Sequence, residues 1–295
     1  MGHEEKKLNI VLSTNDNPIY FPFLEKTVNL YKQLGHNVYV SYVTKKTNPD
    51  LSHLPVDQIL YIQEVSGFES GIQAKLARTF FAAQIEKHVP VTLLDVDQFV
   101  INFKWLQDNI NNNISDRYDL LAFGANGYKM RDGSYNPNIC GKFALYFTTA
   151  YPSGFKKLLN ITSSTSFEDL LHMYSSINNP RDGYECTKNK FKHFSDESLF
   201  AWLIREHNIS CKHIDMPDWN FCQSKRRIDR NINIMLNSQT PGFDKNFWYQ
   251  NKLTEQQRQL IMDDYFIDVF PNRPYITYST IIDDIIDTII HKETN

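Results

Sequence analysis

The chain has 295 residues, of which 41% are hydrophobic and 22% charged, and 31 basic against 34 acidic residues give a net charge of −3. Its length allows one large α/β domain or two smaller ones, and its composition is that of a globular protein rather than a disordered one. The near-neutral charge argues against nucleic acid as a partner, because phosphate binding normally needs a surplus of positive charge.

The four cysteines include no Cys-x-x-Cys pair, which argues against a disulfide-stapled scaffold and fits a reducing compartment. The first seven residues are polar, and no run of about 18 apolar residues occurs. We therefore expect a soluble, cytoplasmic protein without a signal peptide or a transmembrane segment.

The first half of the chain alternates short apolar runs with amphipathic stretches, a pattern typical of βαβ units and a mostly parallel sheet. Helices are predicted at about Phe23–Leu34, closed by Gly35, and at about Gly71–His88. The predicted strands are Asn9–Ser13, Asn37–Val43, Gln58–Val65, Val91–Asp95 and Tyr118–Phe123.

The second half is less regular, with long polar intervals at 178–193 and 220–247 that we interpret as loops, which are often functional at such lengths. We expect one α/β domain over residues 1–222 and a loop and helical extension packed on it over 223–295. The predicted elements are strands at Gly141–Ala150 and Lys212–Met216 and helices at Phe167–Ile177, Ser195–Asn208, Thr254–Tyr265 and Ser279–His291.

Two carboxylates, Asp95 and Asp97, stand two positions apart at the end of an apolar strand, where a period of two would put both on one face. Like charges this close repel, and a divalent cation is the usual reason to tolerate them. The alternative is that one aspartate caps the next helix and the other is solvated. Their position favours the cation, because ligands of open α/β sheets bind at the carboxyl ends of strands.

The segment Leu94–Val100 resembles the DxD segment of GT-A glycosyltransferases, especially the glycogenin-like retaining branch. The resemblance implies a GT-A fold, in which a Rossmann-like, mostly parallel sheet is flanked by helices. It also implies that Asp95 and Asp97 hold Mn²⁺ or Mg²⁺, and that Asp95 lies against the nucleotide sugar. The metal would bridge the donor diphosphate and act as a Lewis acid.

The segment Ile10–Asn17 is similar to the first strand and nucleotide-binding turn of the same family. Tyr20 would supply a ring for base stacking, although Pro18-Ile19 displaces it from the usual place. Lys75 and Arg78 resemble basic residues that face the diphosphate or the nucleotide; the alternative for both is a solvated helix face. The residues expected at the uracil and ribose are Ser13, Thr14, Asn15 and Asp16.

Asp196 and Glu197 enter a predicted helix and resemble the acidic pair that GT-A enzymes place beneath the reacting carbon of the sugar. A carboxylate here would act as a general base in an inverting enzyme, or stabilise or briefly bond to the reacting carbon in a retaining one. The structural alternative is that Ser195 caps the helix and the acidic residues complement its dipole.

The segment Met216–Asn220 resembles the Leu-Pro-x-x-Trp/Tyr-Asn segment of the same branch, which would put Trp219 and Asn220 on the sugar or acceptor side. Trp219 could equally be a core residue. The family's C-terminal His-x-x-Gly-x-x-Lys-Pro-Trp segment has no counterpart. His213 is the candidate for a third metal ligand, although a lone histidine on a strand is more often a core residue.

The isoleucine pairs of residues 281–290 form one apolar helical stripe, which would pack on the domain or form a homodimer contact. The function implied is a metal-dependent glycosyltransferase that moves a hexose-type sugar from a UDP-sugar to a hydroxyl of a glycan, protein or small molecule. Retention is slightly preferred, by resemblance alone. The alternatives are a catalytically inactive GT-A-like domain that binds glycans or a protein, and a metal-dependent phosphatase.

Overall fold

The computed structural model describes most of the first half of the chain and separate parts of the second half. The described residues are 7–18, 20–114, 117–123, 147–175, 178–179, 184–185, 195–214, 254–255, 258–259, 266–268 and 280–294.

Strands and helices are interleaved along the described part of the first half, although two pairs of strands follow each other with no helix between them. Their bounds are β1 Asn9–Asn15, β2 Asn37–Thr44, β3 Gln58–Gln63, β4 Val91–Leu93, β5 Gln98–Val100, β6 Leu120–Phe123, β7 Thr148–Ala150, β8 Asn178–Asn179, β9 Tyr184–Glu185, β10 Cys211–Ile214 and β11 Phe266–Asp268.

A seven-stranded sheet with the order β10-β6-β7-β4-β1-β2-β3 forms the centre of the fold. β1 pairs in parallel with β2 and β4, β2 with β3, and β6 with β10. β7 is antiparallel to both of its neighbours, β4 and β6. Two small antiparallel pairs, β5 with β11 and β8 with β9, lie outside this sheet. The central sheet is therefore mostly parallel, as predicted.

Helices cover both faces of the sheet. Ile10 and Leu12 of β1 point into one apolar core, with α1, α3 and α7 over it, and Val11 points into a second core under α2, α4, α5 and α6. Burial on both faces explains why β1 is a continuous apolar run. The helix bounds are α1 Phe21–Gln33, α2 Ser70–Gln84, α3 Phe103–Asn113, α4 Pro152–Leu159, α5 Phe167–Ser175, α6 Ser195–Glu206 and α7 Thr280–Thr294.

The C-terminal helix α7 packs on the first core through the predicted isoleucine stripe. Ile282, Ile285 and Ile289 are each at most 1% exposed, and their spacing of three and four residues puts them on one face. Asp283 forms an ion pair with Lys26 of α1. The predicted fold class, α/β with a mostly parallel sheet flanked by helices and a helical C-terminal extension, is confirmed.

Several boundaries differ from the predicted ones. β4 ends at Leu93 instead of Asp95, and α2 ends at Gln84 instead of His88 because Ile85 already has an extended backbone. The division at residue 222, most of the predicted strand at 141–150 and the predicted loop at 220–247 lie outside the described residues. No helix of the described ranges has both the length and the apolar character needed to cross a bilayer.

Candidate functional site

The turn from Asp95 to Gln98, here called the DxD turn, joins β4 to β5. Gln98 closes it twice: its backbone N–H donates to the carbonyl of Asp95 at 3.1 Å, and its side-chain Oε1 accepts from the Asp95 N–H at 3.0 Å. The Asp95 side chain is 40% exposed, whereas Asp97 is 6% exposed. The strand period from which we predicted that both carboxylates share one face does not apply to them, because β4 ends at Leu93.

Helix α1 holds the DxD turn from the side of the first core. Thr27 Oγ1 donates to the carbonyl of Val96 at 2.5 Å, and the Tyr31 hydroxyl donates to the carbonyl of Gln98 at 2.8 Å. The Val100 N–H in turn donates to the Tyr31 hydroxyl at 3.4 Å. Burial raises the pKa of Tyr31 well above its ordinary value, so the hydroxyl keeps its proton. The backbone that carries the two aspartates is thereby fixed.

Arg78 of α2 reaches the DxD turn from the other core. Its Nη1 donates to Oδ1 of Asp95 in an ion pair, and the arginine is only 5% exposed. Its Nε is buried without a hydrogen-bond partner among the described residues. Arg78 therefore does not lie on a solvated helix face. Lys75, one helical turn earlier, lies half-buried on the same side of α2.

The carboxyl end of β1 lies beside the DxD turn, because β1 pairs with β4 through Ile10 opposite Thr92 and Val11 opposite Leu93. Asn15 Nδ2 donates to the Ser70 hydroxyl at 2.9 Å, which ties the end of β1 to the first residue of α2.

Ser13 donates to the carbonyl of Ser41 at 3.2 Å. The Thr14 hydroxyl, on the opposite face of β1, is buried and has no hydrogen-bond partner among the described residues. Tyr20 lies half-buried at the start of α1, against the first core.

Asp16 uses its carboxylate to join the ends of β1 and β2. It accepts hydrogen bonds from the Tyr42 hydroxyl, from Thr44 Oγ1 at 2.7 Å and from the Lys45 N–H at 3.1 Å. Burial by itself would raise the pKa of Asp16, but these hydrogen bonds outweigh it and hold the pKa below its usual value. Asp16 therefore fixes the turn at the end of β1 through its hydrogen bonds to the end of β2.

Asp196 and Glu197 lie in the first turn of α6. Because α6 leads into β10, which runs parallel to β6, the helix begins at the carboxyl edge of the sheet, the edge that also carries the DxD turn. α6 packs against α2, the helix of Arg78. The fold thus brings the start of α6 to the same edge as the end of β1 and the DxD turn.

His213 lies in β10, opposite Ala122 of β6. Three strand positions separate β10 from β4 in the sheet, which is about 14 Å at ordinary strand spacing. The fold does not bring His213 next to β4. Trp219 and Asn220 lie outside the described residues.

The carboxylates of Asp95 and Asp97 are the donor type that Mg²⁺ and Mn²⁺ prefer, and the exposure of Asp95 leaves it open to a cation. Within the described ranges, no group of three or more His, Cys, Asp or Glu side chains is arranged to hold a metal. A cation held by the two aspartates would have to take its other ligands from water or from a bound anion.

Sequence reasoning missed Thr27, Tyr31 and Gln98, which hold the DxD turn. The signal was present: Thr27 and Tyr31 are polar residues four positions apart on the buried face of α1, where an unpaired hydroxyl would be costly. Gln98 follows the second aspartate directly, and it too is buried.

No protein-family model matches the sequence, and no curated protein is similar to it. Two solved structures with a similar chain path are glycosyltransferases. The first is the galactosyltransferase LgtC in complex with donor and acceptor sugar analogues, with a TM-score of 0.41 and 11% identity over 96% of this chain and 95% of that one. The second is the glycosyltransferase GlyE of Streptococcus pneumoniae, with a TM-score of 0.44 and 10% identity over 96% of this chain and 61% of that one. Because these identities and TM-scores are low, a function has to be supported by the residues of the site itself.

Proposed function

We propose that the protein is a metal-dependent glycosyltransferase that transfers a hexose-type sugar from a UDP-sugar to a hydroxyl acceptor. The observation that carries the proposal is the DxD turn itself. Asp95, exposed and paired with a buried arginine, stands at the carboxyl edge of a mostly parallel sheet, beside the polar end of β1. This edge is where open α/β sheets bind nucleotides.

In this proposal Asp95 and Asp97 hold Mn²⁺ or Mg²⁺, which when bound neutralises charge on the diphosphate leaving group. The nucleotide lies over the end of β1, where Ser13, Thr14 and Asn15 surround the base and ribose. Asp16 keeps that turn in shape. Arg78 and Lys75 of α2 supply positive charge toward the diphosphate, and Tyr20 is the proposed stacking ring.

Asp196 or Glu197 at the start of α6 acts on the reacting sugar. In a retaining enzyme the carboxylate stabilises or briefly bonds to the reacting carbon, and in an inverting one it takes the proton of the acceptor hydroxyl. The resemblance of the DxD segment slightly favours retention. Trp219 and Asn220 are proposed for the acceptor side, and a cytoplasmic location stays a prediction.

Calorimetric titration of UDP with and without Mn²⁺ tests the proposal. We expect binding that depends on the metal, and binding of UDP that is absent or unchanged by Mn²⁺ would overturn it. A screen of nucleotide sugars for hydrolysis in Mn²⁺ then identifies the donor, and NMR of the released sugar's anomer separates retention from inversion.

A second candidate is a catalytically inactive GT-A-like domain that binds glycans or a protein. The missing counterpart of the His-x-x-Gly-x-x-Lys-Pro-Trp segment favours it. This candidate predicts glycan or protein binding without hydrolysis of any nucleotide sugar, which the same screen measures. A metal-dependent phosphatase is less favoured. In phosphatases with an Asp-x-Asp motif the motif belongs to the first strand, whereas in this chain the DxD turn follows β4.

A further inference from the structure

We propose that Arg78 neutralises the charge of Asp95 in the free protein and so opposes metal binding at the DxD turn. When the donor binds, its diphosphate would pair with the guanidinium of Arg78 and this opposition would end. The inference rests on the proposed function and adds to it that metal binding depends on nucleotide binding. The divalent cation binds weakly to the free protein and tightly together with the nucleotide, and the coupling depends on Arg78.

Arg78 is a buried cation. A guanidinium is always charged and is costly to bury without an anion. Arg78 is 5% exposed, and Asp95 provides the anion through the Nη1 to Oδ1 contact. In the free protein the negative charge of Asp95 is thus already balanced by the positive charge of Arg78.

The two partners of the ion pair differ in exposure. The Asp95 side chain is 40% exposed, whereas that of Arg78 is 6% exposed. A cation from solvent reaches Asp95, whereas the guanidinium of Arg78 is largely covered by the protein. The cation must then either displace Arg78 from Asp95 or share the carboxylate with it, and both arrangements are opposed by the positive charge of Arg78.

Arg78 also carries a donor, the buried Nε, that makes no hydrogen bond with the described residues. Arginine presents its donors as a planar fork that suits phosphate oxygens. A diphosphate bound at the DxD turn would offer the guanidinium a second anion and release Asp95 to the metal. Binding of the diphosphate and of the metal would then favour each other, and by linkage the effect is reciprocal.

The test measures Mn²⁺ binding by electron paramagnetic resonance and calorimetry, not by turnover, in the wild type and in Arg78→Gln, each with and without UDP. We expect Arg78→Gln to bind Mn²⁺ alone at least tenfold more tightly than the wild type does, a change of about 1.4 kcal/mol. The factor by which UDP strengthens Mn²⁺ binding should shrink correspondingly. Lys104→Gln makes the same change in net charge at an exposed position of α3, and should leave Mn²⁺ affinity within about twofold.

An Arg78→Gln protein whose Mn²⁺ affinity without UDP is unchanged or weaker would overturn the inference. Arg78→Lys keeps the charge, so it should stay close to the wild type in Mn²⁺ affinity. If Arg78→Gln loses the wild-type near-ultraviolet circular dichroism, Arg78→Met, with an unbranched side chain for the same buried space, replaces it in the measurement. Failure of the proposed function has a different signature, because the wild type would then show no metal-dependent binding of UDP.

Discussion

At the scale of single residues, the two aspartates of the DxD turn differ in a way that their spacing hides. Asp95 is exposed and already has a cationic partner, whereas Asp97 is buried beside Gln98, which closes the turn. The two are therefore not interchangeable. In the proposed function Asp95 would exchange Arg78 for the metal, and Asp97 would offer its carboxylate from a mostly covered position.

This difference predicts the outcome of Asp97→Ala. We expect donor hydrolysis in Mn²⁺ to fall by about 100-fold or more, because the metal would lose one of its two proposed carboxylate ligands. The thermal melting profile should be retained, because the turn is held by Thr27, Tyr31 and Gln98. Asp108→Ala, which removes an exposed carboxylate of α3, is the matched control and should keep full activity. Persistent hydrolysis in Asp97→Ala would show that the metal assignment is wrong.

His36 predicts a dependence of stability on pH. Its ring packs against Phe103 with centroids 4.6 Å apart, and both ring nitrogens are buried without a hydrogen-bond partner among the described residues. Burial first, and then the charge of Lys7, lower the pKa of His36 from 6.5 to about 4. Between these values the unfolded chain binds a proton that the folded protein does not.

Stability should therefore fall as pH drops through 6.5 and level off below about 4, by roughly 3 kcal/mol in all from this residue. Urea unfolding at a series of pH values measures the slope. His36→Phe should flatten it, whereas His53→Gln at an exposed position should not change it. An unchanged slope in His36→Phe would contradict the prediction.

At the scale of elements, α4 approaches the sheet closely at Gly154. A Cβ added there would lie 2.3 Å from the Asp119 carbonyl oxygen, which is fixed backbone. We expect Gly154→Ala to lower the free energy of unfolding by about 1–3 kcal/mol, because α4 must move away from the start of β6. Chemical denaturation measures the change.

Gly71→Ala is the control for that substitution. Gly71 also lies in a helix, but its added Cβ would meet the Glu69 side chain at 3.6 Å, an ordinary contact. The free energy of unfolding should stay unchanged or rise by up to about 1 kcal/mol, because alanine restricts the unfolded chain. Equal losses at both positions would show that close packing of α4 is not the cause.

The longer helices and strands with a regular apolar pattern were predictable from the sequence. The short elements around the site were not. β1, β2, α1 and the main part of α2 lie within two or three residues of their predicted bounds at most ends. The two strands are buried almost continuously and α1 buries residues at helical spacing, so each leaves a clear pattern in the sequence. Helix α3 was missed although Asn102 caps it with a hydrogen bond from the Trp105 N–H at 2.9 Å.

The contacts of the site were out of reach for a different reason. The Arg78–Asp95 ion pair and the hydrogen bonds from Tyr42 and Thr44 to Asp16 join residues 17 to 28 positions apart. They depend on how α2 crosses the sheet and on the register of β1 against β2. A motif read along the chain identifies the aspartates, but it does not reveal which of them are already occupied by the protein's own groups.

At the scale of the whole molecule, the sheet separates two apolar cores that pack different sets of helices. The first core connects α7 to α1, and α1 in turn holds the DxD turn through Thr27 and Tyr31. The second core packs α2 against α4, α5 and α6. The C-terminal helix is therefore linked to the DxD turn by continuous packing, while α4, α5 and α6 lie on the opposite face of the sheet.

This separation predicts a local response to Ile285→Ala in α7, where the isoleucine is fully buried. The lost packing should cost about 2–5 kcal/mol. Each 1.4 kcal/mol felt locally speeds amide exchange about tenfold, so exchange should accelerate in α1 and in residues 94–101. Exchange in α4 and α5 should accelerate less. Leu170→Ala, at a fully buried position of the second core, should give the reverse pattern. If both variants accelerated exchange equally everywhere, the two cores would unfold only together, and α7 would have no separate hold on the DxD turn.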